Sequence, residues 1–595
     1  MENSSSYILG VSISHDATAV LVDRNGKVLA GIGEERLTRQ KYHETFPFEA
    51  IRWLLRYTGI DGKNVAEVAY NWRNIGGSRT YRDKIFTPGN TNVDWANDVA
   101  FPISSRVSID YFFKRLRLYR RLFPSISDAE YVRRSLIECG ITTDKVTAFD
   151  HQLCHAASAF YSSGFGTSLI ASVDGFGDDK SGGIYIGENN NIRRLEKIPD
   201  DVSAGSFYAN VTGSLGFKRN RHEGKATGLA ASGVSSRCEK VLRKYFDLGE
   251  DLRFSNRAIV ERDKRAESKN MLRFLFTGIY ELTDSYYQDL KSDLDRGKFQ
   301  KPDVAAAAQT ILEDVVSRVI NDCMCQYQCD NLAVAGGVFA NVKLNQTISD
   351  LESVKRFFVH PNMGDGGGAY GASMLALARK VSDSVPPITD VYWGPEFTDE
   401  QIKEVLDDLG VQAEKVNNIE SKIAHILADG KVVGRFNGRM EYGPRALCNR
   451  SILVEPSQVS INTELNNRLG RTEFMPFAPV VLREYGSKLF HRFEESTDLT
   501  KYMTMTLKVR KDWVDKISAV VHLDHTARPQ WVSKHYNRSA YRILSEFHKI
   551  TGIPALINTS FNKHEEPIVC TPKDAISSWK NGCIDVLAIG NYLVC

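Results

Sequence analysis

A pattern of three short strands occurs twice in this chain and restricts its fold more than any other feature. Tyr7–Ser12, Ala17–Val22 and Lys27–Ile32 read as strands. The polar pair His15-Asp16 tips the first hairpin, and Asp23-Arg24-Asn25-Gly26, a turn of the Asn-Gly kind, tips the second. The pattern returns as Ser168–Asp174, Gly182–Ile186 and Ile192–Leu195, with an Asn-rich turn at Glu188-Asn189-Asn190-Asn191. Between the copies, Phe48, Ile51, Leu54 and Leu55 mark Pro47–Thr58 as an amphipathic helix. A unit repeated in this way indicates an internal duplication.

The doubled hairpin resembles the layout of the actin/hexokinase/Hsp70 superfamily, whose two related halves clasp a nucleotide. At 595 residues the chain has room for more than one domain. Composition breaks near Asp383–Val391, at Val385-Pro386-Pro387-Ile388. The expected arrangement is therefore an α/β domain over residues 1–385 and a second α/β domain over 390–595. With 76 Lys and Arg against 73 Asp and Glu, the net charge of +3 does not suggest a nucleic-acid partner. The polar start has no signal-peptide apolar region, and no apolar run reaches the length of a membrane span. Ten cysteines are sparse for this length and read as reduced thiols. A cytoplasmic protein with no membrane partner is expected. Cys323, Cys325 and Cys329 match no common zinc spacing and read as packing residues.

The first candidate site lies in Asp150-His151-Gln152-Leu153-Cys154-His155. Histidines at i and i+4 share one helix face, the spacing with which a helix offers two imidazoles to one metal ion. Gln152 follows His151, so carboxylates must come from elsewhere. Asp174 ends a strand just before the glycine turn Gly175-Phe176-Gly177. Asp365, in Pro361-Asn362-Met363-Gly364-Asp365-Gly366-Gly367-Gly368, precedes three glycines and a small-residue helix. That stretch and the strand–glycine turn of Ala335-Gly336-Gly337 both aim backbone N–H groups at a phosphate. Lys225, among the glycines of His222-Glu223-Gly224-Lys225-Ala226-Thr227-Gly228, suits a phosphate as a point charge. In the second domain, Gly438-Arg439-Met440-Glu441-Tyr442-Gly443-Pro444-Arg445-Ala446-Leu447-Cys448-Asn449-Arg450 reads as a loop converging on an anion. The cations of Tyr111–Phe123 read as a solvated helix face.

Together these stretches resemble the O-carbamoyltransferases of secondary metabolism, the family of the tobramycin, cephamycin, ansamycin and nodulation-factor enzymes. The resemblance also covers Ser12–Val20, Gly33–Arg36, Arg471–Pro479, Arg528–Gln530 and Asn558–Asn562, and so spans essentially the whole chain. It implies a Kae1-like N-terminal domain and a YrdC-like C-terminal domain. It implies that carbamoyl phosphate and ATP, with Mg²⁺, give carbamoyl-adenylate and pyrophosphate in the second domain, and that the carbamoyl group passes to a hydroxyl in the first. On the same ground His151, His155, Asp174 and Asp365 are metal ligands, for Fe²⁺ first and Mn²⁺ or Zn²⁺ as alternatives, and His15 is the general base. Arg445, Arg450, Arg471, Arg528, Asn558 and Ser560 match positions around carbamoyl phosphate and ATP. Gly336, Gly337, Asn341, Gly366, Gly367 and Gly368 bracket the adenylate, with Lys225 at a phosphate. The acceptor is expected to be a polar natural product, such as an antibiotic or guanidinium toxin, met by residues 73–140 and Tyr208. A homodimer is expected by analogy.

Two positions depart from the family pattern: Cys448 stands where glycine is usual, and Ser232 where an aromatic is common. A tRNA-threonylcarbamoylating protein would share the same modules, but the near-neutral charge argues against it. A nucleotide switch without catalysis would leave the metal set and the base unexplained.

Overall fold

The computed structural model describes residues 7–73, 128–258, 279–382, 384–471 and 477–595. The cation-rich stretch Tyr111–Phe123 and most of the expected acceptor segment 73–140 lie outside them.

In the first sheet, β1 (Tyr7–Ser12) pairs antiparallel with β2 (Thr18–Asp23), and β2 with β3 (Val28–Gly33). The Asp23 carboxylate closes the β2–β3 turn by accepting from the N–H groups of Asn25 and Lys27, at 2.8 and 3.0 Å. On its other edge β1 runs parallel to β4 (Val65–Tyr70), and β4 to β5 (Val146–Ala148), giving the order β3-β2-β1-β4-β5. The second sheet repeats this. β6 (Thr167–Val173), β7 (Gly182–Glu188) and β8 (Asn191–Ile198) form an antiparallel meander. β9 (Asn331–Ala335) runs parallel to β6, and β10 (Arg356–Val359) parallel to β9. The hairpin pattern of the sequence is thus the visible part of a five-stranded pattern. Its other strands are short buried runs behind long crossovers, where alternation is lost.

Two helices fill the space between the sheets. The apolar face of α1 (Phe48–Thr58), with Ala50, Ile51 and Leu54 buried, covers the outer side of the first sheet. Inside, α3 (Gly367–Ala378) packs on β1 and β4, α2 (His151–Ser163) packs on β6 and β9, and α2 and α3 pack on each other. The α2–α3 approach depends on a missing side chain. A Cβ on Gly371 would stand 1.9 Å from the main-chain oxygen of Cys154. Gly371→Ala must therefore push the helices apart, and overpacking of this kind costs about 1–3 kcal/mol. The expected result is a lower melting temperature together with weaker divalent-metal binding, because α2 carries His151 and His155.

Residues after 390 build a mixed eight-stranded sheet. Its strands are β11 (Glu414–Lys415), β12 (Val433–Phe436), β13 (Arg450–Val454), β14 (Ala478–Leu482), β15 (Gln530–Val532), β16 (Ala555–Ser560), β17 (Val586–Ile589) and β18 (Tyr592–Val594). They are ordered β11-β18-β17-β12-β13-β16-β14-β15. One face is covered by α4 (Arg538–Thr551), whose Ala540, Ile543, Leu544 and Phe547 are buried at helical spacing. The two parts of the chain share their cores. Met440, Ala446, Ile568 and Cys570 join the cluster of the first sheet around Leu9 and Val11. Trp393, Tyr442 and Leu447 join the cluster around α2 and α3. Hydrogen bonds cross the same boundary from Arg439 to Leu29 O (2.9 Å) and from Arg39 to Pro567 O and Ile568 O (2.7 Å each).

Among the described residues no helix is long and apolar enough to cross a membrane. All ten cysteines are free, with Cys323 buried and Cys325 exposed.

Candidate active site

The carboxylate of Asp150 caps α2 by accepting from Leu153 N–H at 3.1 Å. The first helical turn thereby directs His151 and His155 at one point between the sheets. Asp174 reaches that point from the residue after β6, and Asp365 from the turn before α3. The two imidazole Nε2 atoms are 3.1 Å apart. His151 Nε2 stands 3.4 Å from both Asp174 Oδ2 and Asp365 Oδ1, and His155 Nε2 stands 3.5 and 3.4 Å from the same atoms. Donors set tetrahedrally about 2.0–2.1 Å from one ion lie about 3.3 Å from one another, so this arrangement fits a single divalent cation. The tautomer agrees: His151 Nδ1–H donates to Asn71 O at 3.3 Å, which turns the Nε2 lone pair toward the other donors. Asp174 is oriented in turn, since its Oδ1 accepts from Gly337 N–H at 3.0 Å.

Electrostatics point the same way. Burial opposes charge on His151, but Asp365 and Asp174 outweigh it and raise the imidazole to about 10. His155 is raised as well, by the same two carboxylates against burial. Burial would raise Asp174 and Asp365, yet the facing imidazoles bring both below the usual carboxylate range. A divalent ion held by these four donors would take the place of a proton on each Nε2.

His15 borders this quartet. Its Nδ1 is 3.4 Å from Asp365 Oδ2 and its Nε2 is 3.9 Å from Asp16 Oδ2, and the ring is half-exposed. Burial is opposed by Asp365 and Asp16, which raise the ring to about 9.

A second constellation lies in the C-terminal sheet region. Arg445, Arg471 and Arg528 are half-buried, and loss of solvent around the guanidiniums lowers Arg445 and Arg471 to about 10. Arg528 is lowered further, by burial and then by the other two guanidiniums. Among the described residues no carboxylate pairs with any of the three. Arg471 donates to Thr559 Oγ1 at 3.1 Å and lies over the Phe477 ring. Three like charges near one another, with no carboxylate partner among the described residues, are a donor set of the kind an anion accepts from. Asn558 is buried beside it, with Nδ2 on Ala446 O and Gln530 Oε1. Ser560, at the end of β16, is half-buried.

Other expected site residues are used in the fold. Arg450 is tied into the fold: its guanidinium donates to the carbonyls of Asn437, Gly438, Asn449 and Pro395 and stacks 3.7 Å from the Phe436 ring centroid. Tyr208 faces inward, with its hydroxyl bonded to Thr227 Oγ1 and Gln309 Oε1 at 2.9 and 2.7 Å, and it does not offer a free acceptor contact. Asn341 caps the next helix and bonds Gln309 in both directions. Lys225 Nζ lies 3.4 Å from His564 Nε2, in a cluster with His222 and Glu565 where the two parts of the chain meet. Gly336 has φ +109°, and its Cβ would strike Val173 O at 2.2 Å. Gly366 O accepts from the Tyr442 hydroxyl at 2.7 Å, which ties the Asp365 turn to the arginine loop. A Cβ on Gly367 or Gly368 would strike Asn362 O or Asn71 Nδ2. Cys448 sits at φ +80°, where glycine is at ease and an L side chain is strained.

Sequence reasoning missed Asn71 and Asp178. Asp178 accepts from the N–H groups of His151 and Arg73, which fixes the start of α2. Its place in Asp174-Gly175-Phe176-Gly177-Asp178 was the one available signal.

Comparison with known proteins covers both parts of the chain. The description Carbamoyltransferase N-terminus matches residues 7–374, and Carbamoyltransferase C-terminus matches residues 424–595. Nodulation protein NolNO of Sinorhizobium fredii is 30% identical over 590 residues, covering 98% of this chain and 79% of that protein. An uncharacterized protein of Methanocaldococcus jannaschii, MJ1051, is 30% identical over 595 residues, covering 99% of each chain. Nodulation protein U of Rhizobium tropici is 36% identical over 234 residues, covering 39% of each. The chain belongs to the carbamoyltransferase family, and it is an enzyme that transfers carbamoyl groups.

Proposed function

We propose that this enzyme is an ATP-dependent O-carbamoyltransferase working in two half-reactions. The supporting observation is the separation of two chemistries in one chain: three uncompensated guanidiniums in the C-terminal sheet region, and a metal-fitting quartet between the N-terminal sheets. Residues 1–385 then act as a Kae1-like unit and residues 390–595 as a YrdC-like unit. Arg445, Arg471 and Arg528 bind carbamoyl phosphate and the ATP phosphates, with Mg²⁺. Water cleaves carbamoyl phosphate there to carbamate and phosphate, and the carbamate oxygen attacks the α-phosphorus of ATP, giving carbamoyl-adenylate and pyrophosphate. The adenylate then meets a hydroxyl of a polar natural product beside His15.

A divalent ion held by His151 Nε2, His155 Nε2, Asp174 and Asp365 supplies Lewis acidity for charge building on the carbamoyl oxygen. Fe²⁺, Mn²⁺ and Zn²⁺ all suit this donor set. With Nδ1 of His15 facing Asp365, its Nε2 takes the proton of the acceptor hydroxyl as its oxygen bonds the carbamoyl carbon and AMP leaves. His15→Asn is expected to slow this transfer by about 10²–10⁴-fold. Pyrophosphate release without acceptor should stay within about twofold, since it depends on the other site. Equal loss of both steps in a folded variant would remove His15 from the role of base.

The decisive measurement is pyrophosphate release from ATP with and without carbamoyl phosphate. Release only in its presence is expected. Release independent of carbamoyl phosphate, or none with metal and candidate acceptors supplied, would overturn the adenylation scheme.

A further inference from the structure

The two imidazoles of the quartet are not supported alike. His151 Nδ1–H has Asn71 O as its acceptor. His155 is fully buried, and its Nδ1 has no partner. With Nε2 on a cation, that Nδ1 must carry a proton. Metal-bound histidines almost always donate this second N–H, which fixes the ring and strengthens it as a ligand. A buried donor left without an acceptor is rare in a folded protein.

A third histidine holds the matching atom. His360 follows β10 and is fully buried. Its Nδ1 stands 3.0 Å from Ser162 Oγ. The Ser162 hydroxyl donates its one proton to Ser158 O, so it accepts from His360 Nδ1–H. Burial, and then the charge of His155, lower His360 to about 3, so the ring is neutral and Nε2 keeps its lone pair. That Nε2 is buried and without a partner as well. One ring thus carries an unpaired donor and the other an unpaired acceptor. Both turn to the same place. His155, Ser158 and Ser162 recur at i, i+3 and i+7 on one face of α2, and His360 packs on that face. Its Nε2 edge faces the turn after Asp365: a Cβ on Gly367 would stand 2.9 Å from His360 Cδ2 and 3.2 Å from Nε2. Asp365 Oδ1 in turn lies 3.4 Å from His155 Nε2. The His360 ring stacks on Tyr370, with centroids 5.5 Å apart and planes at 15°, which holds its orientation.

We propose that His360 is a positioning residue for the metal centre, its Nε2 accepting from His155 Nδ1–H directly or across one water. This rests on the reading of the quartet as a metal site. His360 touches neither the cation nor a substrate. It holds the His155 ring in the tautomer whose Nε2 lone pair faces the other donors, as Asn71 O does for His151. Ser162 and Tyr370 hold His360 in its turn.

The test is titration of metal-free, full-length enzyme with Co²⁺, followed by its visible absorption. His360→Phe keeps a ring against Tyr370 and removes the acceptor. It should weaken Co²⁺ binding by about 10–100-fold. His360→Gln, whose amide oxygen reaches the place of Nε2, should bind Co²⁺ within about threefold of the wild type. Pyrophosphate release without acceptor should stay within about twofold in both variants, since it depends on the other site. His360→Leu serves if the Phe variant does not fold. Unchanged Co²⁺ affinity in a folded Phe or Leu variant would overturn the positioning role and leave the quartet standing. Equal weakening in the Phe and Gln variants would make His360 a packing residue and overturn it too. Wild-type enzyme that binds no Co²⁺ would overturn the quartet itself.

Discussion

Arg528→Ala is expected to reduce carbamoyl phosphate-dependent pyrophosphate release by about 10²–10³-fold, the usual effect of deleting one preorganised donor from an electrostatic site. It should do so without destabilising the protein. Arg528 is half-buried near Arg445 and Arg471, and desolvation first and those like charges second hold its guanidinium well below its usual range. Removing it relieves repulsion in the free enzyme, so the melting temperature should stay level or rise. In the wild type, inorganic phosphate should raise the melting temperature, because an anion that binds only the folded state stabilises it by mass action. The variant should lose most of that response. Unchanged pyrophosphate release in Arg528→Ala would take the residue out of the anion site.

Asp365→Asn should act on the opposite half of the reaction. The substitution keeps size and shape but leaves two imidazoles facing one carboxylate. Loss of a partner that merely orients a ligand costs about 10–100-fold in metal affinity, and loss of a charged ligand should exceed that. Metal content measured after dialysis should fall from near one equivalent to a small fraction. Transfer to an acceptor hydroxyl should fall by at least about 10³-fold, because cation and base are disturbed together. Pyrophosphate release without acceptor should persist. Full metal content in the variant would remove Asp365 from the ligand set.

Local chemistry was legible in the sequence, and convergence was not. The turn at Asp23-Arg24-Asn25-Gly26 is written in four consecutive residues, and the structure closes it with the Asp23 side chain. His151 and His155 share a face because helical spacing makes them. Asp174 and Asp365 are 191 residues apart, and nothing local says they meet; only the family resemblance joined them. Arg445 and Arg450 look alike in sequence, five residues apart in one loop. The structure separates them, because the carbonyls of Asn437, Gly438 and Pro395 need donors and Arg450 supplies them. A lone tyrosine on a short helix does not reveal its face, and the Tyr208 hydroxyl bonds Thr227 and Gln309.

The shared cores of the two sequence halves bear on how the molecule comes apart. Met440, Ala446, Ile568 and Cys570 are packed against Leu9 and Val11, and Trp393 and Tyr442 against residues of α3. A chain cut near residue 385 would bare these surfaces on both pieces, and each piece would lose part of its interior. The break at Val385-Pro386-Pro387-Ile388 therefore marks a change of topology and not of cooperativity. Denaturant should unfold the chain in one transition, and neither fragment should hold its native form without the other.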